Sequence, residues 1–131
     1  MEFLFEKLEV YQKSLSLLDS LDAIVEGIKG RFPASRIDQL TRASLSIPLN
    51  IAEGTGRRGA AERGHFYVIA RGSAYECAAM LHILRRKQLL EETKLISASE
   101  EIGTIVRMIS GLIKHTEAKA GTRQASAEAL P

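Results

Sequence analysis

At 131 residues the chain is long enough to bury one hydrophobic core and too short for two ordinary domains. The formal charge of +2 does not by itself imply nucleic acid, but it is uneven: residues 1–30 sum to −3, residues 31–90 to +6 and residues 91–131 to −1. Cys77 stands alone, which excludes an intrachain disulfide and a cysteine metal site, and Trp is absent.

The N-terminus carries Glu2, Glu6 and Glu9 and no basic leader, so no signal peptide is expected. No apolar run approaches the roughly 20 residues of a membrane span, and a cytoplasmic protein is expected. Three prolines and no alternating strand-like runs point to an all-α chain.

The first helix is expected over residues 5–29. Leu4, Leu8, Tyr11, Leu15, Leu18, Val25 and Ile28 keep a spacing of three or four, and Gly30 and Pro33 then stop it. A second helix spans residues 34–55. Its apolar stripe is Leu40, Ala43, Ile47, Ile51 and Gly54, with Ile37, Leu45, Leu49 and Ala52 adding apolar surface elsewhere. So much apolar circumference implies burial on more than one side, within the bundle and against another subunit. Pro48 cannot donate to the carbonyl of Ser44, so a kink is expected there.

At about 100° per residue, Arg42, Ser46, Asn50, Glu53 and Arg57 fall on one polar stripe of that helix. Two readings of the stripe stand: a hydrogen-bonded network that holds the bundle in register, or a binding groove. Gly54-Thr55-Gly56 ends the helix.

A third helix is expected over residues 60–87. Gly59 and Glu62 occupy the first and fourth places of a capping box, although glycine has no side-chain oxygen to offer. Ile69, Gly72, Ser73, Met80 and Ile83 share a face read as buried, and Glu76 lies among them. A carboxylate there needs a partner, and Arg42 on the adjacent helix is the expected one. Arg85, Arg86 and Lys87 close the helix at its negative end.

The fourth helix is expected over residues 91–117, with Ile102, Val106, Ile109 and Ile113 on its buried face. Residues 119–131 read as a frayed or disordered tail with nothing to bury, which leaves residues 1–118 as the domain. Four helices of about 22–28 residues with short connections pack as an antiparallel up-and-down four-helix bundle.

Three segments carry a resemblance. They are Phe5-x-x-Leu8-x-Val10-Tyr11-Gln12-Lys13, then Gln39-Leu40-x-Arg42-Ala43-x-x-Ser46-Ile47-x-x-Asn50-Ile51-Ala52-Glu53-Gly54-x-Gly56-Arg57, and Phe66-x-x-Ile69-Ala70-x-Gly72-Ser73-x-x-Glu76. Together they resemble the four-helix bundle family associated with 23S ribosomal RNA intervening sequences. The run from Ser46 to Arg58 is especially similar to the accessory variability protein of diversity-generating retroelements. The resemblance implies a ring-forming protomer, commonly a homopentamer. For the retroelement branch it also implies binding to nucleic acid and a reverse transcriptase. Gly59 departs from the family's usual Ser or Thr cap, Arg63 stands where an aromatic is common, and Cys77 replaces a common leucine.

Chemistry has little to stand on. His65, His82 and His115 lack partners at ligand spacing, so no metal or cofactor is expected. Ser44, Ser46 and Ser73 lack an identifiable base, and Gly54-x-Gly56 has neither the strand nor the lysine of a phosphate loop. The expected protein is therefore not an enzyme.

Nucleic-acid binding would rest on Arg57, Arg58, Arg63 and Arg71, beside Lys114, His115 and Lys119 of the fourth helix. A ring would repeat that patch and favour phosphate through counterion release. The alternative is a partner-binding scaffold without RNA or DNA, in which the acidic first helix meets the basic middle of the chain between subunits.

Overall fold

The computed structural model describes the backbone of residues 1–128 and the side chains as far as Thr122. A short 3-10 helix at Leu4–Lys7 leads into four α-helices: α1 (Glu9–Ile28), α2 (Ala34–Thr55), α3 (Ala60–Arg86) and α4 (Glu92–Glu128). Side-chain pairs give the antiparallel register directly. Ser46 meets Ser73 and Thr55 meets Tyr67 between α2 and α3, while Arg71 reaches Ser110 of α4. Ser20 of α1 bonds Glu101 of α4. These contacts order the helices as the expected up-and-down bundle.

The first helix differs from expectation at its start. Leu8 is extended (φ −77°, ψ 124°) and caps α1, so residues 4–7 form a separate turn. The ring of Phe5 stands edge-on to Tyr11 at 4.8 Å, and the amide of Phe3 donates to Glu6 Oε2 at 2.5 Å; together they hold that turn against α1. Gly30 then ends the helix in the left-handed region (φ 79°), where only glycine is free of strain. α2 runs unbroken through the buried Pro48.

The expected end of α4 near Glu117 is corrected: the helix continues to Glu128. Alanines at 118, 120, 125 and 127 are strong helix formers, and no proline intervenes before the end of α4. Thr116 is the last buried residue among those described, and the expected tail's residues 129–131 lie outside the described residues.

Leu17, Leu21, Leu40, Ile47, Ile51, Leu81, Leu84, Ile105 and Ile109 fill the core and are almost wholly buried. The apolar stripe of α2 lies in that core as expected. The face assignment on α3 is corrected. Its buried side is Tyr67, Ala70, Ala74, Cys77, Met80, Leu81 and Leu84, whereas Ile69, Gly72 and Ile83 face solvent. Val68 and Tyr75 are also exposed, Tyr75 at 59%. Ala70, Ala74 and Cys77 on the inner side let α2 and α4 come close along the middle of α3, where Val68 and Ile69 lie outside.

Candidate nucleic-acid interface

The loop between α2 and α3 is built by backbone bonds. The amides of Gly56 and Arg57 reach back to Ala52 O and Gly54 O, both at 3.1 Å, and end α2. Gly59 caps α3 in an extended conformation without a side-chain bond, and its carbonyl accepts from the Arg63 amide at 3.0 Å. The helices approach most closely just before the loop. A methyl group on Gly54 would lie 2.9 Å from Tyr67 Cε1, 3.0 Å from Phe66 Cβ and 3.1 Å from Arg63 O.

Three of the four predicted binding arginines gather at this end. Arg57 is ion-paired with Glu53 one turn back, and its guanidinium lies 4.9 Å from the centre of the Phe66 ring. Arg63 Nη1 donates to Arg58 O at 2.7 Å and to Arg57 O at 3.3 Å, and so braces the loop from inside. Arg58 is exposed and takes part in no ion pair or side-chain hydrogen bond among the described residues. Arg71 lies two turns further, about 12 Å along α3, where it is half-buried and donates to Ser110 Oγ at 3.1 Å. It therefore ties α3 to α4 and is separated from the loop cluster. Lys114, His115 and Lys119 are exposed on the part of α4 that runs beside the start of α3, where Thr116 meets Gly64.

The polar stripe of α2 divides in two. Ser46 Oγ and Ser73 Oγ are 2.8 Å apart, and Asn50 Nδ2 donates to Ser46 O at 2.8 Å and to Ser46 Oγ at 2.9 Å. This half-buried cluster stitches α2 to α3. Glu53 and Arg57 form the second part, at the loop. The expected Glu76–Arg42 pair is corrected: both residues are exposed, and the two form no ion pair. Glu76 sits on the outward side of α3, where water solvates its charge and no partner is required.

Sequence reasoning missed Phe66 as the platform under Arg57, and Ser110 and Thr55 as anchors. It also missed the outer seam of α3. Ala61, His65, Val68, Gly72, Tyr75, Ala79 and His82 recur at alternating spacings of four and three, and all are exposed.

Burial pushes the Cys77 thiol up to about 12, with the neighbouring Glu76 charge adding to the effect, so the group is a neutral part of the core. Among the described residues no group of three or more His, Cys, Asp or Glu could hold a metal ion. No described helix is long and apolar enough to cross a membrane.

A family model described as "23S rRNA-intervening sequence protein" matches residues 6–111, which takes in α1 to α3 and the first half of α4. The chain belongs to this family. No curated protein matches it. Among solved structures, the intervening-sequence chain is similar to a protein of unknown function from the S23 ribosomal protein family of Bacteroides thetaiotaomicron. The TM-score is 0.75 at 21% identity, over 80% of this chain and 98% of that one, a likeness of fold. Neither description names an enzymatic activity.

Proposed function

We propose that this member of the intervening-sequence family is a non-enzymatic homo-oligomer whose arginine-bearing end, repeated around the assembly, binds nucleic acid through phosphate. The observation that carries the reading is the outward seam of α3. Val68 and Tyr75 are each more than 40% exposed, with Gly72 between them and Ala79 beyond, Ile83 is exposed beside the seam, and α2 alongside exposes Leu45 and Leu49. Apolar residues at coiled-coil spacing, interrupted by small ones, suit close packing by a helix of a second copy. A ring of five is the preferred assembly. In it, Arg58 and the solvent side of Arg57 would recur beside Lys114 and Lys119, and an accessory role to a reverse transcriptase is the finer form of the same reading.

A second reading is a scaffold with no nucleic-acid role. It is favoured by the prior commitments of Arg57, Arg63 and Arg71 within the protomer.

Light scattering at micromolar concentration should find a multimer, and Tyr75→Glu should reduce it to monomer with its helicity retained. A monodisperse parent monomer would end the oligomer reading. Fluorescence anisotropy with structured RNA at low and physiological salt then separates the two readings. The proposal expects binding that weakens steeply with salt and a flatter salt slope in Arg57→Ser/Arg58→Ser/Arg63→Ser. No binding even at low salt leaves the scaffold.

A further inference from the structure

At the opposite end of the bundle, the connections after α1 and α3 enclose a cleft of about 380 Å³ beside the first turn of α4. That volume falls in the range of small-ligand sites. Ala23 and Leu89 give it a small apolar wall over the buried Ile24 and Ile28. Cations reach it from three separate elements: Arg31 after α1, Arg85 in the last turn of α3 and Lys94 in the first turn of α4. Glu91 is the one acid among the lining residues.

The two guanidinium groups are anchored without being neutralised. Arg31 Nη1 donates to Gly27 O at 3.2 Å and Arg85 Nη1 to Leu90 O at 3.1 Å, while both side chains remain exposed. Neither they nor Lys94 form an ion pair among the described residues. Cations at the C-terminal ends of α1 and α3 are ordinary partners of the helix dipole. Two other residues lining the same cleft break local rules. Lys94 stands in the first turn of α4, the positive end of a helix, where an acid is favoured. Gln88 has φ 60°, a left-handed position after a helix that normally belongs to glycine. Local conflicts of this kind concentrate where a site must be built.

We propose that this cleft is an anion site for the diphosphate group of a small organic phosphate, with the body of the ligand lying against Ala23 and Leu89. Two planar guanidinium forks and one ammonium match the charge and the oxygen count of such a group. The site is independent of the arginine loop.

The test is calorimetric titration of the full chain with inorganic pyrophosphate and with ADP at low salt. One equivalent of each should bind per protomer, and ADP should bind more tightly. Lys94→Glu and Gln88→Gly each restore the locally favoured residue, so both should raise Tm by about 2–5 °C while folding normally. Lys94→Glu should weaken pyrophosphate on the order of tenfold or more, and Gln88→Gly should weaken it measurably. The Arg57→Ser/Arg58→Ser/Arg63→Ser protein should bind like the parent. Absence of binding by both ligands at millimolar concentration would overturn the proposal, as would undiminished binding by Lys94→Glu or loss in the loop variant. ADP binding no more tightly than pyrophosphate would remove the apolar wall, and with it the assignment to an organic phosphate.

Discussion

Gly54→Ala tests whether the approach of α2 to α3 governs the packing of this bundle. In an exposed helix the change would stabilise, because alanine is the better helix former by about 1 kcal/mol. Here the new methyl group meets three atoms at 2.9–3.1 Å. Two of them, Arg63 O and Phe66 Cβ, belong to or adjoin the α3 backbone and cannot rotate away. The third, Tyr67 Cε1, can move only by tilting a buried ring whose hydroxyl is 3.0 Å from Thr55 Oγ1. Overpacking of this kind costs about 1–3 kcal/mol, and a lost hydrogen bond costs about 1 kcal/mol more. The net loss is then about 1–3 kcal/mol after the propensity gain. In a domain of this size that lowers Tm by about 4–11 °C. Gly111→Ala is the control, since Gly111 is exposed and nothing lies within 4 Å of its added methyl group. Thermal and urea melts at one protein concentration should place Gly54→Ala below the parent and Gly111→Ala above it. A Gly54→Ala protein as stable as the parent would refute the close-approach argument.

Cys77 has a raised thiol pKa in the folded protein, so above pH 9 the unfolded chain releases its proton first and stability falls. Urea melts from pH 8 to 11 should show a steeper decline in the parent than in Cys77→Ala, the difference approaching about 1.4 kcal/mol per pH unit; equal slopes would contradict the assignment. Ser46→Ala should cost about 1 kcal/mol in urea unfolding. Adding Ser73→Ala should cost little more, because the two hydroxyls share one bond; full additivity would mean that the pair does not interact.

The sequence and the structure agree most where a backbone rule and a hydrophobic period coincide. α2 ends where Gly54, Thr55 and Gly56 interrupt a dense apolar stripe, and α1 ends at a glycine followed by a proline. The start of α1 was not legible, because the turn before Leu8 is set by aromatic contacts and no cap residue marks it. The face of α3 was misread for a physical reason. Its core side is made of Ala70, Ala74 and Cys77, small residues that contribute little to a hydrophobic count, while Val68, Ile69 and Ile83 stand outside. Judging burial by side-chain size therefore turned the helix around and gave Glu76 a partner it does not need. At the site, the arginines of the loop were legible from charge alone. Their partners were not, because the link from Arg71 to Ser110 spans 39 residues.

The helices are not held equally. α2, α3 and α4 are joined at short range by glycine contacts and by hydroxyl and guanidinium bonds, whereas α1 lies more sparsely on α2 and α4. Its one cross-helix side-chain bond among the described residues, from Ser20 to Glu101, leaves Glu101 Oε2 enclosed without a partner among them. α1 is thus held to the other helices chiefly by the burial of Leu17, Leu21 and Ile28 and hardly by polar bonds. Truncating Leu17 or Leu21 therefore removes most of what seats this helix, and no polar network stands behind it to limit the loss.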